Sequence, residues 1–206
     1  MTGLRAKQKA QRRQLIEKAA TALFVERSFN DTTIEDIAER ALVSPATVYN
    51  YYGTKGELLL ALVARGEEGI AEKVEDFTAR VASDDPIDLI AAVIRSNVKD
   101  TLSHLSRELW GHVVAYISTT KDDAVAPKYL DTIADGLAAA LENVLAEQIK
   151  QGKLKEGTDP QYVAYFLTRM ERIHFLNHVY LHHQSVEEMH NNMRADTNFI
   201  MKFLVA

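Results

Sequence analysis

Two helix-start signals follow one another closely near the amino end, and they limit the fold more than any other feature. The stretch is "NDTTIEDIAERALVSPATVYNYYGTKGELLLAL", residues 30–62. Thr32 with Glu35 reads as a capping box, so a helix begins there, with Ile34, Ile37, Ala38 and Ala41 on its inner face. Ser44 followed by Pro45 is an N-cap with proline at the first helical position, so a second helix begins there. About three residues near Leu42 and Val43 remain between the two short helices. A helix that restarts so soon is a helix-turn-helix.

The rest of the chain also reads as helix. The apolar spacing predicts helices over 5–27, 55–82, 86–103, 106–119, 124–151, 160–182 and 185–204, with a loop at 151–160. The fold class is all-α: an N-terminal three-helix helix-turn-helix domain, 1–54, joined to a larger helical domain, 55–206. There is no cysteine, hence no disulfide and no thiolate chemistry. No apolar run approaches the roughly 18 residues of a membrane span. The cytoplasm is the expected compartment.

The net charge of −5 is unevenly spread. Residues 1–60 hold nine Lys/Arg against seven acids, which leaves −7 for the remainder. Residues 1–13 contain Arg5, Lys7, Lys9, Arg12 and Arg13 and no acid. Such asymmetry points to one part that meets a polyanion and one that does not. A solvated basic tail is the plainer reading of the first residues.

At about 100° per residue, Val48 and Tyr52 point inward from the second short helix, and Ala46 and Asn50 point outward. Thr47 and Tyr51 lie on one flank, Tyr49 on the other. A helix in a DNA major groove needs this layout. Small or amide side chains on the ridge reach base edges, and hydroxyls on the flanks reach phosphates. Asparagine pairs bidentately with adenine, and alanine or a threonine methyl meets a thymine methyl. Lys55, just past the helix, is placed to meet a phosphate.

Residues 19–62, "AATALFVERSFNDTTIEDIAERALVSPATVYNYYGTKGELLLAL", closely resemble the DNA-binding domain of TetR-type repressors. The likeness lies in the small apolar face of the first helix, the paired threonines, "IA", "VS", the T-aliphatic-Tyr run, the Tyr-aromatic pair and "K..LL". It implies phosphate contacts from Thr33, Thr47, Tyr49, Tyr51 and Lys55, and base or groove contacts from Pro45, Ala46 and Asn50. Ser44, the cap, completes this DNA-binding set. The basic segment could add phosphate or minor-groove contacts. Leu42 and Ser28 depart from the pattern, which prefers glycine at both places; a leucine forced left-handed costs roughly 1–2 kcal/mol.

The resemblance also implies a homodimer, an inverted-repeat operator and a small-molecule effector that releases the repressor. "YVAYFLTRMERIHFLNHVYL", 162–181, is apolar almost all round, and Val186, Met189, Met193, Ile200 and Phe203 form a seam on the last helix. With Tyr162, Phe166 and Ile173 they are the expected dimer interface. Expected effector-lining residues are Arg95, His104, Trp110, His112, Tyr116, Phe166, Met170, His174 and Asn177; each competes with the plainer reading of a packed core side chain. Coupling to DNA is expected through the helix over 55–82. No cofactor and no metal is expected. The competing reading is an all-helical enzyme, metal-dependent through His174, His178 and His182, but the sequence offers no cysteine ligand, no carboxylate paired with these histidines, no nucleophile motif and no phosphate loop.

Overall fold

A computed structural model describes residues 2–66, 68–121, 125–181 and 183–206. His182 and the Arg5 side chain, both named above, lie outside what is described. The described residues form helices α1 (Thr2–Arg27), α2 (Ile34–Arg40), α3 (Pro45–Tyr52), α4 (Lys55–Gly66), α5 (Glu68–Ala79), α6 (Pro86–His104), α7 (Arg107–Thr119), α8 (Val125–Lys150), α9 (Pro160–Tyr180) and α10 (Val186–Met201). Among them there is no strand; a single backbone bridge pairs Leu154 with Val205. No described helix is long and apolar enough to cross a membrane. The helix expected over 55–82 is found as α4, α5 and a 3-10 turn at Arg80–Ala82.

The chain packs as two units. The first comprises residues 1–65 and 112–121, so α4 and the second half of α7 pack with α1 to α3. Its core is Ile16, Ala20, Leu23 and Phe24 of α1, Ile34 and Ile37 of α2, Val48 of α3 and Leu58, Leu59 and Leu62 of α4. Burying each large side chain contributes roughly 1.5–3 kcal/mol. The second unit comprises 66–111 and 122–206. There α8 packs on α5, α6 and α9, and α10 packs on α6 and α9.

The capping box at α2 is shifted by one residue from the expected Thr32 and Glu35. Thr33 is the N-cap: its hydroxyl accepts from the Asp36 amide at 3.1 Å, and the Asp36 carboxylate accepts from the Thr33 amide at 2.8 Å. Thr32 is instead buried and donates to the Ser28 carbonyl at 2.8 Å. The two positions that depart from glycine are both left-handed, Ser28 at φ 73° and Leu42 at φ 56°. Leu42 is 93% exposed, so no packing repays its backbone strain.

Candidate nucleic-acid interface

The start of α3 is fixed by its cap. Ser44 Oγ accepts from the Thr47 amide at 3.2 Å, and Pro45 supplies the first helical residue. Gly53 stops the helix at φ 67°, where its amide donates to the Tyr49 carbonyl at 2.8 Å. Val48 and Tyr52 are buried; Ala46, Tyr49 and Asn50 are exposed; Thr47 and Tyr51 are half-buried. The small and amide side chains therefore form the open ridge of α3.

A polar lock sets the rotation of that ridge. The Tyr52 hydroxyl donates to Glu17 Oε1 of α1 at 2.8 Å, and Arg13 Nε donates to the same oxygen at 2.9 Å. Glu17 is 2% exposed. Burial first, and then the Glu17 carboxylate, pushes the Tyr52 phenol above its usual range, so it stays a donor. Sequence reasoning placed Tyr52 inward but missed Glu17. The signal was an acid standing on the otherwise apolar face of α1.

Several expected contact residues are engaged within the protein. The Thr33 hydroxyl serves the α2 cap. The Tyr51 hydroxyl donates to the Lys9 carbonyl at 3.4 Å, a long bond. Lys55 departs furthest from the expected phosphate contact. Its ammonium donates to the carbonyls of Phe29 (2.7 Å), Thr32 (2.8 Å) and Asn30 (3.5 Å), and lies 4.4 Å from the centre of the Phe29 ring. Burial lowers its pKa. All three ammonium donors are thus used in holding the α1–α2 loop, so a phosphate contact would require breaking them.

The expected effector residues do not line one cavity. Trp110 is in the core, donates to the Thr101 carbonyl at 3.4 Å and meets Phe175 edge-on at 5.0 Å. His112 stacks on Phe29 at 4.7 Å, and the Tyr116 hydroxyl lies 3.2 Å from that of Thr54, both within the first unit. The Tyr116 ring also occupies the space that a side chain at Gly56 would need, 2.3 Å from an added Cβ. His104 is exposed against its own helix, Phe166 and Asn177 are exposed, and Met170 is half-buried. Of the expected residues, Arg95 lines a cleft of about 310 Å³ between α6 and α10, with Asp88, Ile94, His190, Met193 and Arg194. Aromatic and histidine side chains on apolar faces serve packing as readily as ligands, which is why their spacing did not gather them.

The histidine stripe also divides. His174 Nε2 meets Asp196 at 2.7 Å, whereas the buried His178 ring meets the Gln184 carbonyl at 3.1 Å. The expected dimer seam divides too: Met189 and Met193 are inside the protomer's own core and Ile200 is half-buried. Tyr162, Phe166, Ile173, Val186 and Phe203 are exposed, and Tyr165, Tyr180 and Phe199 join them.

Residues 16–62 match the family described as bacterial regulatory proteins, tetR family. The chain is 23% identical over 157 residues to the fatty acid metabolism regulator protein of Bacillus subtilis (strain 168), covering 74% of this chain and 76% of that protein. It is 23% identical over 150 residues to the HTH-type transcriptional regulator PksA of the same organism, covering 72% of this chain and 69% of PksA. Among solved structures, the fold is similar to Thermus thermophilus FadR, a TetR family transcriptional repressor in complex with lauroyl-CoA. The TM-score is 0.69 at 24% identity, covering 88% of this chain and 91% of that one.

Proposed function

We propose that the chain is a ligand-responsive, DNA-binding transcriptional regulator of the TetR type rather than an enzyme, and that it works in the cytoplasm as a homodimeric repressor on an inverted-repeat operator. The observation that carries the DNA reading is the α3 ridge: Ala46 and Asn50 stand open while Val48 and Tyr52 are buried beneath them. In this reading Asn50 and Ala46 meet base edges with Pro45 beside them, and Thr47, Tyr49 and Tyr51 meet phosphates. Thr33 and Ser44 hold the helix ends that present these groups. Lys55 acts by anchoring the loop beside α3. A helix as short as α3 spans few base pairs, so a two-fold dimer is needed for a site of useful length. The exposed apolar stripe of α9 and α10 is the surface we assign to the second copy.

We assign the effector to the α6–α10 cleft, whose apolar floor of Ile94 and Met193 lies beside Arg95, with Arg194 paired to Asp88 at 2.7 Å, and suits a small amphipathic acid that meets Arg95. FadR of Thermus thermophilus, which this fold resembles, is complexed with lauroyl-CoA. The coupling runs through α7, whose residues 107–111 belong to the second unit and 112–119 to the first. Effector and operator then weaken each other reciprocally. The test is selection of duplexes from a random library, followed by binding of variants. Asn50→Ala relaxes preference at one position of each half-site by roughly 1–3 kcal/mol, and Thr47→Val weakens all sequences alike. If Asn50→Ala scales every affinity equally, Asn50 does not read a base.

A further inference from the structure

The cleft between α6 and α10 holds more basic groups than acidic ones. Arg95, Arg194 and His190 line it, against the carboxylate of Asp88. Asp88 is held by Arg194 at 2.7 Å. Arg95, exposed at the wall, meets no carboxylate among the described residues. His190 Nε2 is buried and has no hydrogen-bond partner. A buried polar atom left unpaired marks a place where a partner belongs. Thr197 lines the same cleft but supplies none, because its hydroxyl donates to the Met193 carbonyl at 2.8 Å.

The charges around His190 come from each neighbouring helix. Arg95 acts on it from α6 and His178 from α9, and Arg107 of α7 acts in turn on His178. His178 itself meets the Gln184 carbonyl at 3.1 Å. Burial first, and then Arg95 and His178, lowers the His190 pKa, so the ring is neutral at pH 7. A carboxylate placed between Arg95 and His190 reverses this balance. It offsets Arg95 and favours the imidazolium, whose Nε2 then donates a charge-assisted hydrogen bond to the anion. The buried Ile94 and Met193 beside them take the apolar part of such an acid.

We propose that Arg95 and His190 together hold the carboxylate of the effector, and that His190 takes up one proton from solvent as the acid binds. The proposal rests on the α6–α10 cleft as the effector site and adds the second anchor and the proton. The sign of the pH dependence follows. Binding raises the His190 pKa from its low value in the free protein. Affinity therefore climbs as pH falls between the two values, by up to about tenfold per pH unit, and is level above the higher one.

The test is isothermal titration calorimetry of the full-length protein with sodium octanoate and sodium benzoate. It runs from about pH 8 to about pH 6, in two buffers of different ionisation enthalpy at each pH. The wild-type chain takes up a growing fraction of a proton per protomer as pH falls. Octanol, which has the same tail and no charge, binds without uptake. Arg95→Gln weakens both acids by roughly tenfold or more at every pH. His190→Gln abolishes the uptake, whereas His178→Gln keeps it. Circular dichroism checks the fold of each variant, and the wild-type proton count depends on none of them. Binding of the acids without proton uptake overturns the proposal, as does a folded His190→Gln chain that keeps the uptake. In both cases a loss at Arg95→Gln leaves the cleft as the effector site. If neither acid binds, or Arg95→Gln binds them as the wild type does, the cleft assignment fails and the proposal with it.

Discussion

Aromatic side chains lie open to solvent on α3 and again on α9 and α10, yet the two surfaces have different chemistry. On α3, Tyr49 stands beside the small Ala46 and the amide of Asn50, and the basic half of α1 lies alongside. On α9, Tyr162, Tyr165, Phe166, Ile173 and Tyr180 are exposed on one side of the helix, with Phe199 on α10 and Phe203 just past its end. The first surface mixes donors, cations and gaps that a grooved polyanion fills. The second offers area and few donors, which suits a matching copy of itself. Exposure of an aromatic ring is common to both; the neighbours decide what it meets.

The largest effect is expected at Ile173 of the α9 surface, which is 61% exposed. Ile173→Glu should leave the protomer folded and turn the dimer into a monomer. Operator affinity should fall by more than about a hundredfold, because one α3 then binds alone. Light scattering and anisotropy read both effects, and a variant that remains dimeric removes the stripe from the interface.

Next in size is the lock beneath α3. Tyr52→Phe leaves the buried Glu17 carboxylate without its phenol donor, at a cost of roughly 1–3 kcal/mol in urea unfolding. Ile173→Glu changes assembly, whereas Tyr52→Phe changes the fold of the reading head itself. A neutral Tyr52→Phe would mean that packing alone holds α3 in rotation.

Leu42→Gly should act in the opposite direction. Its left-handed backbone and nearly full exposure predict a gain of about 1 kcal/mol in the same unfolding measurement. A loss would show that the leucine side chain contributes more than its strain costs.

The smallest effect belongs to the second unit and is read by pH. Burial lowers the pKa of both His178 and His190, assisted by Arg107 at His178 and by Arg95 at His190. The folded chain therefore takes up protons less readily than the unfolded chain. Stability is full above the ordinary histidine value of about 6.5 and declines as pH falls below it. His178→Gln with His190→Gln should flatten that decline; an unchanged profile would place its origin elsewhere.

Much of the DNA-binding head was legible because its signals are local. Ser44 and Pro45 mark the start of α3 in adjacent residues, and the inward and outward faces follow from helical period alone. The α2 cap slipped by one because Thr32, Thr33, Glu35 and Asp36 satisfy the same pattern in two registers. Only burial of Thr32 separates them. The lock between Glu17 and Tyr52, and the capture of Lys55 by the Phe29 and Thr32 carbonyls, join residues far apart in sequence, so no spacing announces them. In the second unit the difficulty was of another kind. Met189 and Met193 have the spacing of an interface, but spacing cannot say whether a face meets its own chain or a partner. Trp110, His112 and Tyr116 share one helix, yet Trp110 packs in one unit and the other two in the other.

The most direct test is selection of bound duplexes from a random library by the full-length chain. The expected result is enrichment of an inverted repeat whose half-sites are centred about one helical turn, or a multiple of it, apart, with Asn50→Ala losing preference at the same position of both halves. Enrichment of a single unpaired half-site, or of no sequence at all, would contradict it.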